Sequence, residues 1–287
     1  MPSTQLLTKY QNGNGLVSIY HDGTRTIEYD EKVGLQLAHP LNIDVRVSNA
    51  CSFGMHPVTG MAICEFCHES ARTDGRDCDY EALKDYIYQY PAGTELAIGC
   101  NKATESLEDF LWWACDIGYI CNITINQGHI QRDKKLLKSW VRDQLIYGLG
   151  ISYRRDFKWS VPNWVLEYDN TVFHVIIGID DIIDVKGLKS KGVKKILVLG
   201  EKDFGFNLDM VDTDSLSHKQ WRWWIPQLFK VFDVVSFDNL ALEQLHLKRF
   251  FTDDNWSVFH QGEHSIYIDA VNQTISPSSR SVDIKPW

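Results

Sequence analysis

The chain has 287 residues, a formal net charge of −9, 44% hydrophobic and 23% charged residues, which is ordinary for a globular protein large enough to bury a sizeable core. Basic residues occur only in short runs such as Lys134-Lys135, Arg154-Arg155, Lys194-Lys195 and Lys248-Arg249, so stable nucleic-acid binding through a basic stripe is not expected. No apolar run reaches about 18 residues and no basic-then-apolar leader opens the chain, so the reading is no membrane span, no secretion signal and a reducing, cytoplasmic setting.

Residues 1–36 read as a β ribbon, because Asn12-Gly13 and Asp22-Gly23 are hairpin turns flanked by alternating segments at 16–20 and 24–28. From residue 41 the pattern becomes strand, loop and helix in repetition. Strands are predicted at 41–47, 95–98, 119–125, 151–153, 172–177 and 196–199. Helices are predicted at 80–90, starting at Asp79, and at 105–117, 132–147 and 181–190. Six β/α units at this spacing imply a parallel sheet, too few for a closed eight-stranded barrel. The expected fold is therefore α/β: a partial (β/α)6 barrel over 37–205. It is preceded by the ribbon and followed by an α+β extension, 206–287, that caps it. Within that extension Trp221 to Trp224 suggest a packed helix. Asp238, Asn239 and Gln244 are plausible substrate contacts, and 262–269 reads as an edge strand.

Seven cysteines, an odd number without a secretion signal, do not make a disulfide framework. Three of them share the loop after the first strand of the repeat: Cys51, then, after twelve residues, Cys64-Glu-Phe-Cys67. Thiolates are the usual ligands of iron–sulfur clusters, and three of them leave one iron of a cubane open. Cys-x-x-Cys pairs also hold zinc, with His56, His68 or Cys78 near enough in sequence to complete a site.

The stretch from Asn42 through Cys67 resembles the radical S-adenosylmethionine superfamily, whose usual motif is Cys, three residues, Cys, one residue, an aromatic and Cys. Phe66 matches the aromatic and Cys64 and Cys67 the close pair, whereas the first gap of twelve is a departure from the family. The resemblance implies a [4Fe–4S] cluster on Cys51, Cys64 and Cys67, with S-adenosylmethionine and a low-potential electron donor as partners. It also implies reductive cleavage to a 5′-deoxyadenosyl radical that takes hydrogen from a small-molecule, nucleotide or peptide substrate. Residue by residue it suggests Gly99 and Asn101 in the turn that holds the cofactor's amino group, where Cys100 replaces a glycine. Thr124 and Asn126 follow on the third strand. Ser152 and Arg154, with Arg155, face the ribose or carboxylate. Gly178, in a segment with His174, and the Leu199 backbone lie near adenine. Cys100, at the presumed site, is a candidate hydrogen-atom donor. Two other readings stay open: a zinc-stabilised interaction protein, and a degenerate cluster-binding barrel without radical chemistry, suggested by the altered Gly-Cys-Asn turn.

Overall fold

The computed structural model describes residues 5–206, 211–252, 256 and 264–287. Strands β1 (Leu6–Asn12), β2 (Gly15–Tyr20) and β3 (Arg25–Glu28) form the expected antiparallel ribbon. Its first turn depends on glycine: Gly13 has φ +59°, and a Cβ there would lie 1.9 Å from the Gln36 carbonyl oxygen.

The rest is mixed α/β, built on one ten-stranded sheet. Its parallel strands are β4 (Asn42–Arg46), β6 (Glu95–Cys100), β7 (Ile120–Asn126), β8 (Gly148–Ser152), β9 (Thr171–Ile176), β10 (Lys195–Leu199) and β11 (Val234–Phe237), side by side in chain order. The chain then returns, and β12 (Ser265–Asp269) pairs parallel to β4 on its free side. Two antiparallel strands, β13 (Thr274–Ser276) and β14 (Lys285–Pro286), complete the sheet. The short β5 (Ala50–Met55) stays outside it, bridging only to Arg72.

Two expectations are corrected here. The parallel set has eight strands rather than six, because β11 and β12 come from the segment read as a cap. The strand expected at an edge is interior, between β4 and β13; residues 262 and 263 of that expectation lie outside the described residues. The local pattern showed the β12 strand but none was predicted at 234–237, and the partner of β12 is set by the return of a chain segment from far away.

Helices α1 (Tyr80–Ile87), α2 (Glu105–Ile117), α3 (Ile130–Arg142), α4 (Asn163–Glu167), α5 (Ile182–Gly187), α6 (Leu216–Val231) and α7 (Asn239–Gln244) separate the strands. Local chemistry sets their ends. Asp79 caps α1 through the N–H groups of Glu81 and Ala82, Thr104 caps α2 through that of Leu107, and Gly118 closes α2 with φ +90°.

Period-two alternation divides the sheet into two unlike faces. One carries Ile43, Val45, Leu96, Ile98, Ile123, Ile125, Leu149, Ile151, Phe173, Val175, Ile196 and Val198, all buried in one core with Leu83, Phe110, Trp140, Trp221 and Leu228 of the helices. Fully burying side chains of this size stabilises by about 1.5–3 kcal/mol each. The other face carries Asn42, Asp44 and Arg46 on β4, Ala97 and Gly99 on β6, and Asn122, Thr124 and Asn126 on β7. It continues with Gly148, Gly150 and Ser152 on β8, His174 on β9, and Tyr267 and Asp269 on β12. Sheet curvature brings distant ends together over this polar face. Lys202, just past β10, reaches Ser279, between β13 and β14, with Nζ donating to Oγ at 3.1 Å. The Phe206 N–H donates to the Cys67 carbonyl at 3.0 Å.

Candidate active site

Parallel strands point their C-terminal ends to one side, and the cysteine loop leaves from that end of β4. The loop doubles back on itself: the N–H groups of Ile63 and Cys64 donate to the Phe53 carbonyl at 3.0 and 3.2 Å, and the Cys67 N–H to that of Cys64 at 3.1 Å. Gly205 meets it from across the sheet, where a Cβ would lie 2.4 Å from the Cys67 oxygen at φ +80°. These bonds bring Cys51, Cys64 and Cys67 near enough to act on one another electrostatically. Burial pushes all three thiols up, Cys64 to about 11, and the neighbouring thiolates add to the rise at Cys64 and Cys67.

Arg154 opposes that rise. It is 7% exposed, donates Nη1 to Cys64 Sγ at 3.0 Å and Nη2 to Asp156 Oδ2 at 2.9 Å, and lies over the rings of Phe66 (4.7 Å) and Phe157 (5.3 Å). Phe157 stacks on Phe53 (4.8 Å), which stacks on His129 (4.1 Å). His129 Nε2 bonds Ser52 Oγ at 3.0 Å, and burial pushes that imidazole down to about 4. Arg154 therefore links Cys64 to an aromatic stack that runs from Phe157 through Phe53 to His129.

Among the described residues no three His, Cys, Asp or Glu side chains are placed to hold a single metal ion. A cubane takes each thiolate on a different iron, so its ligands need not converge on one point. Three mutually repelling soft donors in one loop, which cationic iron would relieve, suit such a group chemically. The residues that a zinc site would add are otherwise engaged. His68 Nε2 pairs with Glu69 at 2.9 Å, His56 Nδ1 accepts turn N–H groups from Val58 and Thr59, and Cys78 packs against the apolar core.

The other sequence candidates divide. Gly99 and Thr124 are direct neighbours on the polar face, and Asn126, Ser152 and His174 form the next row toward the strand ends. Gly99 is exposed, and no non-neighbouring atom lies within 4 Å of where its Cβ would be. Asn126 Oδ1 accepts the Gly128 N–H at 2.9 Å, and Asn101 Nδ2 donates to the Ser48 carbonyl at 3.2 Å, so these amides tie strand ends together. Gly178 turns at φ +83° against Glu201, and the Leu199 carbonyl accepts the Ile177 N–H at 3.0 Å. Arg155 is exposed beside Asp156 and Asp184.

Cys100 requires a correction. It alternates with Leu96 and Ile98 on the helix side of β6, is 3% exposed in the apolar core, and burial pushes its thiol up to about 12. It does not face the polar side with Gly99. In the C-terminal segment, Asp238 accepts the N–H groups of Ala241 and Gly200, and Gln244 bonds both the N–H and the carbonyl of Glu201, so both serve as internal ties.

Sequence reading overlooked the charged residues of the polar face, Asp44, Arg46, Glu69 and Lys202, and the Tyr267 hydroxyl that donates to Glu69. Arg46 is bridged to Glu69 at 2.8 Å and to Asp269 at 2.9 Å. Burial works to raise the Glu69 carboxyl, but the His68 hydrogen bond and the charges of His68, Arg46 and Lys202 hold it at about 2. The signal was present in Asn42-Ile-Asp-Val-Arg46, a strand that alternates polar and apolar residues. No family model, curated protein or solved structure matches the chain.

Proposed function

We propose that the chain is a radical S-adenosylmethionine enzyme built on a partial barrel. Cys51, Cys64 and Cys67 would hold a [4Fe–4S] cluster at the strand ends, above the polar face. What supports this reading is that Cys51, Cys64 and Cys67 share the loop after the first parallel strand, which leaves from the C-terminal edge of the sheet, where barrel-type folds place their chemistry. When bound, the cluster supplies the electron that splits S-adenosylmethionine into methionine and a 5′-deoxyadenosyl radical able to take hydrogen from a substrate.

The chain's own groups have simpler tasks. Arg154 sets a fixed positive charge beside Cys64, which favours the thiolate. Phe66 and Phe157 flank that guanidinium, and Phe53 stacks on Phe157. Gly99, lacking a side chain on an open face, leaves room for a ligand against the backbone, while Thr124 and Ser152 offer hydroxyls along the same face. A buried Cys100 has no part as a hydrogen-atom donor. The electron comes from a separate low-potential donor, and the substrate is a small molecule, nucleotide or peptide.

Anaerobic reconstitution with iron and sulfide tests this, followed by reduction with S-adenosylmethionine and an assay for 5′-deoxyadenosine. About four irons per chain, release of 5′-deoxyadenosine, and loss of both in Cys64→Ala and Cys67→Ala are expected. One tightly held zinc and no cleavage would replace the proposal with an interaction protein. A cluster without cleavage would reduce it to a degenerate barrel.

A further inference from the structure

Each sulfur of the cysteine triad has N–H donors turned toward it. Burial raises the three thiols, but the backbone N–H groups of Phe53 and Gly54 work against that rise at Cys51, and those of Ala71 and Glu69 do so at Cys67. Cys64 has a donor of a different kind. Arg154, 90 residues further along the chain, donates Nη1 to its Sγ at 3.0 Å. Among the described residues it is the one side chain that gives a hydrogen bond to any of these three sulfurs. The backbone donors come with the fold of the loop itself; the donor to Cys64 depends on a residue from the end of another strand, β8.

That guanidinium is held from several sides. Nη2 donates to Asp156 Oδ2 at 2.9 Å, and the group lies over the rings of Phe66 and Phe157. The Arg154 side chain is 8% exposed and that of Asp156 64%, so water screens the counter-ion far more than the guanidinium. The other charges nearby are Asp180, buried and within reach of Arg154, and Arg155, which pairs with Asp156 and Asp184 at the surface. Arg132 acts on Cys51, and Glu69 on Cys67. These neighbours set a background that is the same with or without Arg154, and the guanidinium adds its own charge and its own bond to it. An N–H that donates to a ligand sulfur draws electron density from it, and a buried cation favours the more negative of two redox states. An iron–sulfur cluster gains a negative charge on reduction, so both effects raise its potential.

We propose that Arg154 sets the reduction potential of the [4Fe–4S] cluster, holding it higher than the thiolates and backbone donors alone would. The inference rests on the cluster of the proposed function but not on cleavage of S-adenosylmethionine. Reduction passes one electron from the low-potential donor to the cluster, with no bond made or broken. With Arg154 in place a less reducing donor suffices for that step. Arg154 acts through Cys64, and it tunes the centre without touching a substrate.

Voltammetry of the reconstituted full chain, without S-adenosylmethionine, reads the potential directly. In Arg154→Gln the equilibrium constant for reduction should fall by about tenfold or more, a shift of about 59 mV for one electron. Arg154→Lys, which keeps the charge, should recover part of that shift. Asp156→Asn removes the exposed counter-ion and should move the potential the other way; it serves where Arg154→Gln holds too little cluster to read. A potential unchanged or raised in Arg154→Gln, or unchanged or lowered in Asp156→Asn, would overturn the proposal. A purely structural Arg154 gives less cluster at the wild-type potential. An Arg154 that binds the cofactor's carboxylate gives weaker S-adenosylmethionine binding at an unchanged cofactor-free potential. Either result overturns it too. The proposed function is read separately. A wild-type chain that takes up no cluster removes both readings, a potential that follows Arg154 without release of 5′-deoxyadenosine removes only the radical one, and cleavage with a potential indifferent to Arg154 removes only this one.

Discussion

Asp180 shows how much one buried carboxyl can alter the response of this protein to pH. It is 3% exposed, and burial raises it to about 7 against the Ile176 N–H, which donates to Oδ2 at 2.7 Å, and against Arg154. In the unfolded chain such a carboxyl loses its proton near pH 4. Between pH 4 and 7 the native state therefore holds a proton that the unfolded state has released, so stability falls as pH rises through this window. Asp180→Asn keeps an acceptor for Ile176 without the charge. Its melting temperature should match wild type near pH 4 and exceed it increasingly up to pH 7, by about 2–4 °C for each kcal/mol relieved. A constant difference across the range would show that Asp180 titrates normally. Arg154 makes the complementary case. Arg154→Gln removes a charge-assisted contact worth about 1.5–3 kcal/mol, and reconstituted protein should then retain roughly half its iron or less. Full retention would show that the guanidinium is dispensable to the cysteine loop.

At the scale of elements, end-capping residues decide where helices begin and thereby where the connecting turns point. Thr104 accepts the Leu107 N–H at 3.2 Å and starts α2 directly after the Gly99–Asn101 turn. Thr104→Ala should cost about 1 kcal/mol, read from the urea midpoint at unchanged slope. A change in slope would mean that the turn itself had opened. Such elements were legible because their causes are local: Asp79 before α1, Thr104 before α2, and the two hairpin glycines of the ribbon. Strand β5 was not legible. Its residues, Ala50–Met55, lie in a loop whose order comes from Ala71, Arg72 and Thr73, which approach from the far side of the cysteine motif.

Across the whole molecule, the C-terminal third is joined to the first half by the sheet. Strand β12 pairs with β4 along its length, and Trp287 stacks on Tyr86 of α1 at 4.6 Å. Unfolding in urea should then be a single transition, with tryptophan fluorescence and far-ultraviolet dichroism coincident. A separate early transition would show that residues 206–287 behave as an independent unit. None of the helices among the described residues is long and apolar enough to cross a membrane.

By itself, the sequence determined the mainly parallel α/β architecture and the ribbon, and it set Cys51, Cys64, Phe66 and Cys67 in one loop. Each of these depends on periodicity or spacing over a few residues, which survives in any tertiary context. Tertiary structure alone decided that β11 and β12 join the sheet, that Cys100 faces the core while Gly99 lies on the polar face, and that Arg154 reaches Cys64. It also decided that Asp44, Glu69, Asp238 and Lys202 meet. Those outcomes require segments as much as 223 residues apart, the separation of Arg46 and Asp269, to pack against one another. The entropy of closing such loops is met by burial summed over the whole sheet, and no local pattern encodes that sum.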